Sequence, residues 1–135
     1  MASNVERVRA LFARFNETGE LEVGALDPDV ELHSRPDLPD AKVWRGVDGV
    51  RGFFAELAEA FDPIRYEPRE LIAAGRHVVV RAQVVGYGAT SGTPIEVEEV
   101  QLWTFREGRL VRLQGFPTLD EAYATARALD EEEAA

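Results

Sequence analysis

The hydrophobic period of this chain changes once, and that single change constrains the fold more than any motif does. In the helices predicted between Val5 and Phe61 the apolar residues recur every three to four positions, the period of a helix with one buried face. From Tyr66 to Phe116 they alternate, the period of strands with two distinct faces. Helices first and strands afterwards do not make the βαβ units of a parallel sheet. They predict an α+β domain with helices packed on one antiparallel sheet.

The helical half divides at its glycines and prolines. Ser3-Asn4-Val5-Glu6 has capping-box spacing, and Val5, Val8, Leu11, Phe12 and Phe15 form a stripe through about Asn16, ended by Gly19. A short second helix is predicted over Glu20 to Leu26, stopped by Asp27-Pro28. Val30 to Ser34 reads as a short strand, and Arg35 to Trp44, with Pro36 and Pro39, as a loop. After Gly46 a strong helix carries Val50, Phe53, Phe54, Leu57 and Phe61 on one side and ends at Asp62-Pro63. The alternating half reads as strands at Tyr66–Ala73, Val78–Tyr87, Ile95–Phe105 and Leu110–Phe116. Arg106-Glu107-Gly108-Arg109 forms the last hairpin turn. Thr118-Leu119-Asp120-Glu121, a second capping-box spacing, opens a C-terminal helix with Leu119, Tyr123, Ala126 and Leu129 on one side. No repeat or linker interrupts the pattern, so one domain over residues 1–135 is expected.

Composition excludes several function classes. The chain has no cysteine, which removes disulfides, thiolate catalysis and cysteine metal sites. The formal net charge of −10 disfavours nucleic acid and anionic lipid as partners. No apolar run approaches the roughly 20 residues of a membrane span, and the first residues lack the pattern of a signal peptide, so a cytoplasmic location is expected. The acidic run Asp130-Glu131-Glu132-Glu133 reads as a solvated or frayed helix end. His33 and His77 are the two histidines, without clustered carboxylates around them. His33 is placed at a polar rim and His77 in solvent, and no metal or cofactor is expected.

Alternation sets out the candidate chemistry. On the strand Val78–Tyr87 one row is Val78, Val80, Ala82 and Val84, and the other includes Arg81 and Gln83. On Ile95–Phe105 one row is Val100, Leu102 and Thr104, and the other includes Glu99, Gln101 and Trp103. Polar groups embedded in apolar rows suit a polar site in an apolar pocket, with Arg81, Gln83, Glu99 and Gln101 meeting on one sheet face. The plain alternative is a cross-strand Arg81–Glu99 salt bridge on a solvent or dimer face.

Several motifs together resemble a known family. The break at Gly19, the Asp27-Pro28-Asp29-Val30 strand entry, Trp44-Arg45-Gly46 before the main helix, and the run Leu102 to Val111 are similar to the SnoaL-like branch of the nuclear transport factor 2-like superfamily. The resemblance implies a cone-shaped, cystatin-like α+β fold: a curved, mainly antiparallel sheet with about three to four helices on its concave face. It also implies a small-molecule pocket shared by isomerases, cyclases, hydrolases, binding proteins and dimerisation modules.

Carried over residue by residue, the resemblance removes familiar chemistry. Where steroid isomerases of this superfamily place a tyrosine, a basic aspartate and an oxyanion-holding acid, this chain has Phe12, Ser34 and Gln101. Where epoxide hydrolases of the superfamily have Arg-x-Asp, it has Arg81-Ala82-Gln83, and their second aspartate falls near Thr118. The family's inward arginine implies that Arg81 and Gln83 face the pocket. Glu99 is then the best acid/base, with Arg81 its electrostatic partner and Ser34, Gln83 and Gln101 as hydrogen-bonding groups. Phe12, Phe15, Trp44 and Trp103 are expected as apolar pocket wall.

The function expected is a cofactor-independent enzyme of isomerase, cyclase or hydrolase type acting on an apolar oxygenated ligand. The alternative is a non-catalytic binding or dimerisation module. If Arg81 and Gln83 face inward, then Val78, Val80, Ala82, Val84, Val100 and Leu102 face outward. Such a patch predicts a homodimer through the outer sheet face.

Overall fold

The computed structural model describes residues 2–134. Helix α1 (Asn4–Thr18) leads through a single turn of 3-10 helix (Val23–Ala25) into strand β1 (Leu26–His33). A short β2 (Val43–Arg45) precedes α2 (Gly46–Ala60), and four strands follow: β3 (Phe61–Ala74), β4 (His77–Gly88), β5 (Pro94–Arg106) and β6 (Arg109–Phe116). Helix α3 (Leu119–Ala134) closes the chain. The α+β class and the curved sheet are those the sequence implies.

The helix starts follow their capping signals. Ser3 accepts from the Glu6 amide at 3.1 Å while the Glu6 carboxylate takes the Ser3 amide, a complete capping box. Thr118 caps α3 by accepting from the Glu121 amide at 3.2 Å. Between β5 and β6, Glu107 and Gly108 have φ of 51° and 78°. These left-handed residues make the tight two-residue hairpin whose twist matches the strands.

One sheet of six strands runs in the order β2-β1-β6-β5-β4-β3. All pairs are antiparallel except β1 with β6. Within the sheet, the two halves of the chain therefore meet at that one parallel pairing. Four local readings shift: Glu20–Leu26 holds only the 3-10 turn, β1 begins four residues earlier than Val30, β2 begins inside the expected Arg35–Trp44 loop, and β3 begins at Phe61, read from sequence as helical, and not at Tyr66.

The face assignment of β4 is corrected. Cross-strand partners share a face, and the register pairs Val78 with Trp103, Val80 with Gln101 and Ala82 with Glu99. The valine row therefore lies with the Glu99 row, buried against α1 and α2. Arg81 and Gln83 project from the opposite face. Arg81 bridges Glu70 at 3.2 Å and Glu98 at 3.1 Å there, a solvated network that suits a charge in a strand.

Helix α3 lies on that opposite face, away from α1 and α2. Ala122 and Ala126, with Leu119, Tyr123 and Leu129, pack on Val79, Val100, Leu102 and Phe116. The outward apolar patch on which the dimer expectation rested is thus absent. Val78, Val80, Ala82 and Val84 face α1 and α2, while Val100 and Leu102 are covered by α3.

His77, expected in solvent, is 1% exposed. Its ring meets Thr104 Oγ1 and Asp130 Oδ1, each at 2.8 Å. Arg76 also donates to Asp130 at 2.9 Å and pairs with Glu133. The acidic run at the chain's end therefore belongs to an ordered helix with Asp130 as its anchor, because a buried imidazole needs partners for both nitrogens.

Candidate functional site

The period of two on β5 builds the centre of the site. Glu99, Gln101 and Trp103 stand in a row on the face turned to α1 and α2. The Trp103 indole N–H donates to Gln101 Oε1 at 2.8 Å, which directs the Gln101 amide NH2 to the Glu99 carboxylate. Trp103 and Gln101 are buried, while Glu99 keeps part of its surface toward an open cavity.

That cavity holds about 160 Å³. Helix α1 contributes Phe12 and Phe15, α2 contributes Phe53 and Phe54, and β3 contributes Tyr66. Leu32 of β1, Leu113 and Gly115 of β6, and Ser34, Arg35 and Leu38 after β1 also line it, with the half-exposed Leu38 at its mouth. The rings hold one another in place: Phe12 lies 5.1 Å from Trp103, and Phe15 lies 5.1 Å from Phe54 and 5.3 Å from Tyr66, in the tilted and edge-on arrangements rings prefer. Drug-sized pockets begin at about 300 Å³, so this one fits one or two fused rings.

Tyr66 is fixed by its backbone. β3 is an edge strand, and the Asn16 side chain covers its open edge here: Asn16 Nδ2 donates to the Tyr66 carbonyl at 2.8 Å, and Asn16 Oδ1 accepts from the Tyr66 amide at 2.9 Å. The phenol then enters the cavity between Phe12 and Phe15.

Electrostatics distinguish two titratable groups here. Removal from water pushes the Glu99 carboxyl above its ordinary pKa of 4.5, and the Gln101 amide and the Arg35 charge pull it partly back. Burial, with a smaller contribution from the Glu99 charge, pushes the Tyr66 phenol well up, so it stays a hydrogen-bond donor. Gly115 makes room for the acid. A Cβ there would lie 2.9 Å from Glu99 Oε1 and 3.1 Å from the Arg35 stem.

Of the residues expected from sequence, Glu99, Gln101, Phe12, Phe15, Trp103 and Ser34 line the cavity. Arg81 and Gln83 do not, so Arg81 is no partner of Glu99. Ser34 reaches the wall, but its hydroxyl donates to the Lys42 carbonyl at 3.1 Å and accepts from the Lys42 amide at 2.7 Å. These bonds close the loop. Trp44 stands behind the wall, edge-on to Phe53 at 5.8 Å with the Lys42 ammonium over its face. His33 is at the rim, its Nε2 2.9 Å from Glu31, and burial lowers its pKa and favours the neutral ring.

Sequence reasoning missed Tyr66, Arg35, Phe53 and Phe54 as site residues. The adjacent phenylalanines of α2 carried a signal, since a helix that turns two neighbouring rings inward presents a broad apolar face. Tyr66 and Arg35 enter only through tertiary closure. Among the described residues no group of three or more His, Asp or Glu side chains is placed to hold a metal ion. No helix of the described residues is long and apolar enough to cross a membrane.

The profile of the SnoaL-like domain matches residues 8–113, and the chain belongs to that family. Among solved structures it is similar to a candidate SnoaL-like polyketide cyclase from Jannaschia sp. CCS1, with 22% identity over 84% of this chain and 83% of that one and a TM-score of 0.72. A ketosteroid isomerase-like fold from Catenulispora acidiphila DSM 44928, in complex with trimethylamine, gives 18% identity, 88% of each chain and a TM-score of 0.73. TerC, co-crystallised with polyporic acid, gives 26% identity over 83% of this chain and 88% of its own, with a TM-score of 0.69. No curated protein sequence matches the chain. These comparisons establish the fold and the family.

Proposed function

We propose that this protein binds a small apolar carbonyl compound of one or two fused rings and moves a proton on it without a cofactor. The observation that carries this reading is the placement of Glu99, a carboxyl with a raised pKa, in an aromatic cavity that also holds the phenol of Tyr66. A raised pKa brings a carboxylate nearer neutrality, where it is a better base, and leaves a protonated fraction to act as acid. TerC with polyporic acid and the Catenulispora protein with trimethylamine support the view that pockets of this fold accept small organic molecules.

The steps follow from the chemistry of the groups. The aromatic walls hold the ring of the ligand. The Tyr66 hydroxyl donates to the carbonyl oxygen, stabilising negative charge as it develops. The Glu99 carboxylate takes a proton from the adjacent carbon to give the enol or enolate. The protonated Glu99 then returns that proton to the same or a conjugated carbon, which completes an isomerisation or prepares a ring closure. Gln101 holds the Glu99 carboxylate in place through its amide, itself aligned by Trp103.

Exchange of the α-hydrogens of 2-tetralone in deuterium oxide, followed by mass spectrometry, tests this reading. Wild type should exceed the solvent background by about 10²–10⁴-fold, and Glu99→Gln should return to it. Binding of 2-tetralone without acceleration would leave a ligand-binding protein. Failure to bind it would remove the cavity as a site for such ketones.

A further inference from the structure

We infer that the cavity selects ligands with an anionic group, a carboxylate or an ionised enol, beside their apolar ring, and that Arg35 binds that group. This rests on the ligand cavity proposed above and adds to it the charge and orientation of the ligand.

Arg35 opens the loop that follows β1. The three bonds between Ser34 and Lys42, including the Ser34 amide to the Lys42 carbonyl at 3.1 Å, pinch the two ends of that loop together. The pinch fixes the backbone from which the arginine starts. Its stem then crosses Gly115, where no side chain stands in the way. The same glycine accommodates the Glu99 carboxyl, so acid and guanidinium are neighbours across one backbone position. Arg35 is the permanent cation among the lining residues, and the other basic side chain there, His33, is committed to Glu31.

The guanidinium already holds a carboxylate in the geometry a ligand would use. Arg35 Nε donates to Asp37 Oδ1 at 3.0 Å and Nη2 to Asp37 Oδ2 at 2.8 Å, two parallel bonds from one edge of the fork. Asp37 lies two residues further along the same loop, and its side chain is 45% exposed. An exposed pair of this kind contributes little to stability and exchanges readily. A ligand carboxylate at the mouth, with its ring against Phe53 and Leu38, meets the same fork and adds apolar contact that Asp37 cannot make. Asp37 is thus a placeholder that leaves when the ligand enters. With the anionic end at Arg35, the ring points inward and its reactive carbon is presented to Glu99. Arg35 then decides which end of the ligand enters first.

Titration calorimetry with 2-naphthoate and its neutral isostere 2-naphthamide separates this inference from the reading beneath it. Wild type should bind the naphthoate about tenfold more tightly than the naphthamide. Arg35→Gln should abolish that ratio. Asp37→Asn, which releases the fork, should raise naphthoate affinity by about three- to tenfold, a gain that a misfolded variant cannot produce. A wild-type ratio near one, a ratio unchanged by Arg35→Gln, or no gain from Asp37→Asn would overturn the inference while naphthamide binding leaves the cavity standing. If neither compound binds, the cavity reading fails and the inference falls with it.

Discussion

The two faces of β5 carry the same kinds of residue to opposite ends. Toward α3, Val100 and Leu102 are sealed under alanines, and the polar Thr104 is satisfied by His77, which Asp130 holds in turn. Toward α1 and α2, Trp103 is sealed too, but Glu99 looks into a cavity with only part of its demand met. A buried polar group whose partners are complete contributes stability and specificity, and has no capacity left for a ligand. A carboxyl kept short of partners in an apolar wall costs stability and keeps that capacity. The difference lies in the neighbours: α3 brings an aspartate to its face, whereas the aromatic rings of α1 and α2 bring none to theirs.

The largest effect that sharpens this contrast belongs to the sealed face. Phe116 is 2% exposed beneath α3. Phe116→Ala should cost about 3–5 kcal/mol of unfolding free energy by urea titration, through lost burial and the cavity left behind. A cost under about 1 kcal/mol would mean that α3 is not seated there in solution. Next comes the anchor. Asp130→Ala leaves the buried His77 Nε2 without its carboxylate and should cost about 1–3 kcal/mol, whereas Glu131→Ala, its exposed neighbour, should be silent. Equal effects would show that the acidic run acts only as general charge. The smallest effect is expected at Arg81. Its pairs with Glu70 and Glu98 are solvated, so Arg81→Ala should leave the urea midpoint almost unchanged. A large drop in that midpoint would return Arg81 to the interior and reverse the faces of the sheet.

The fold was legible because its signals are local. Two capping-box spacings, the stripe from Val5 to Phe15, and the alternation on β4, β5 and β6 each predict their element without knowledge of the rest. The site was half legible. The row Glu99, Gln101 and Trp103 is a property of one strand. Which row of β4 joins it depends on register, and one residue of slip exchanges Arg81 for Val80. Matching polar to polar across the strands gave the wrong partner row; the protein places valines beside Glu99 and keeps the arginine in water. The side taken by α3 was illegible for a similar reason: the stripe of Leu119, Tyr123, Ala126 and Leu129 fits either apolar face of the sheet. Tyr66 depends on Asn16, fifty residues earlier in the chain, and no local pattern announces that bond.

The central claim is that Glu99 is a carboxyl held out of water for proton transfer. Its native pKa lies above that of the unfolded chain, so the native state binds the extra proton. The contribution of Glu99 to stability therefore falls as pH rises from about 4.5 through its native midpoint, against the opposite contributions of Asp27, Glu31, Asp37 and Asp130, and Glu99→Gln should remove it. The most direct test is a carboxyl-carbon NMR titration of the native protein, with the Glu99 resonance assigned by its loss in Glu99→Gln. The account predicts a midpoint clearly above the ordinary 4.5. A midpoint at or below that value would show a solvated or ion-paired carboxylate and contradict the acid/base role given to Glu99.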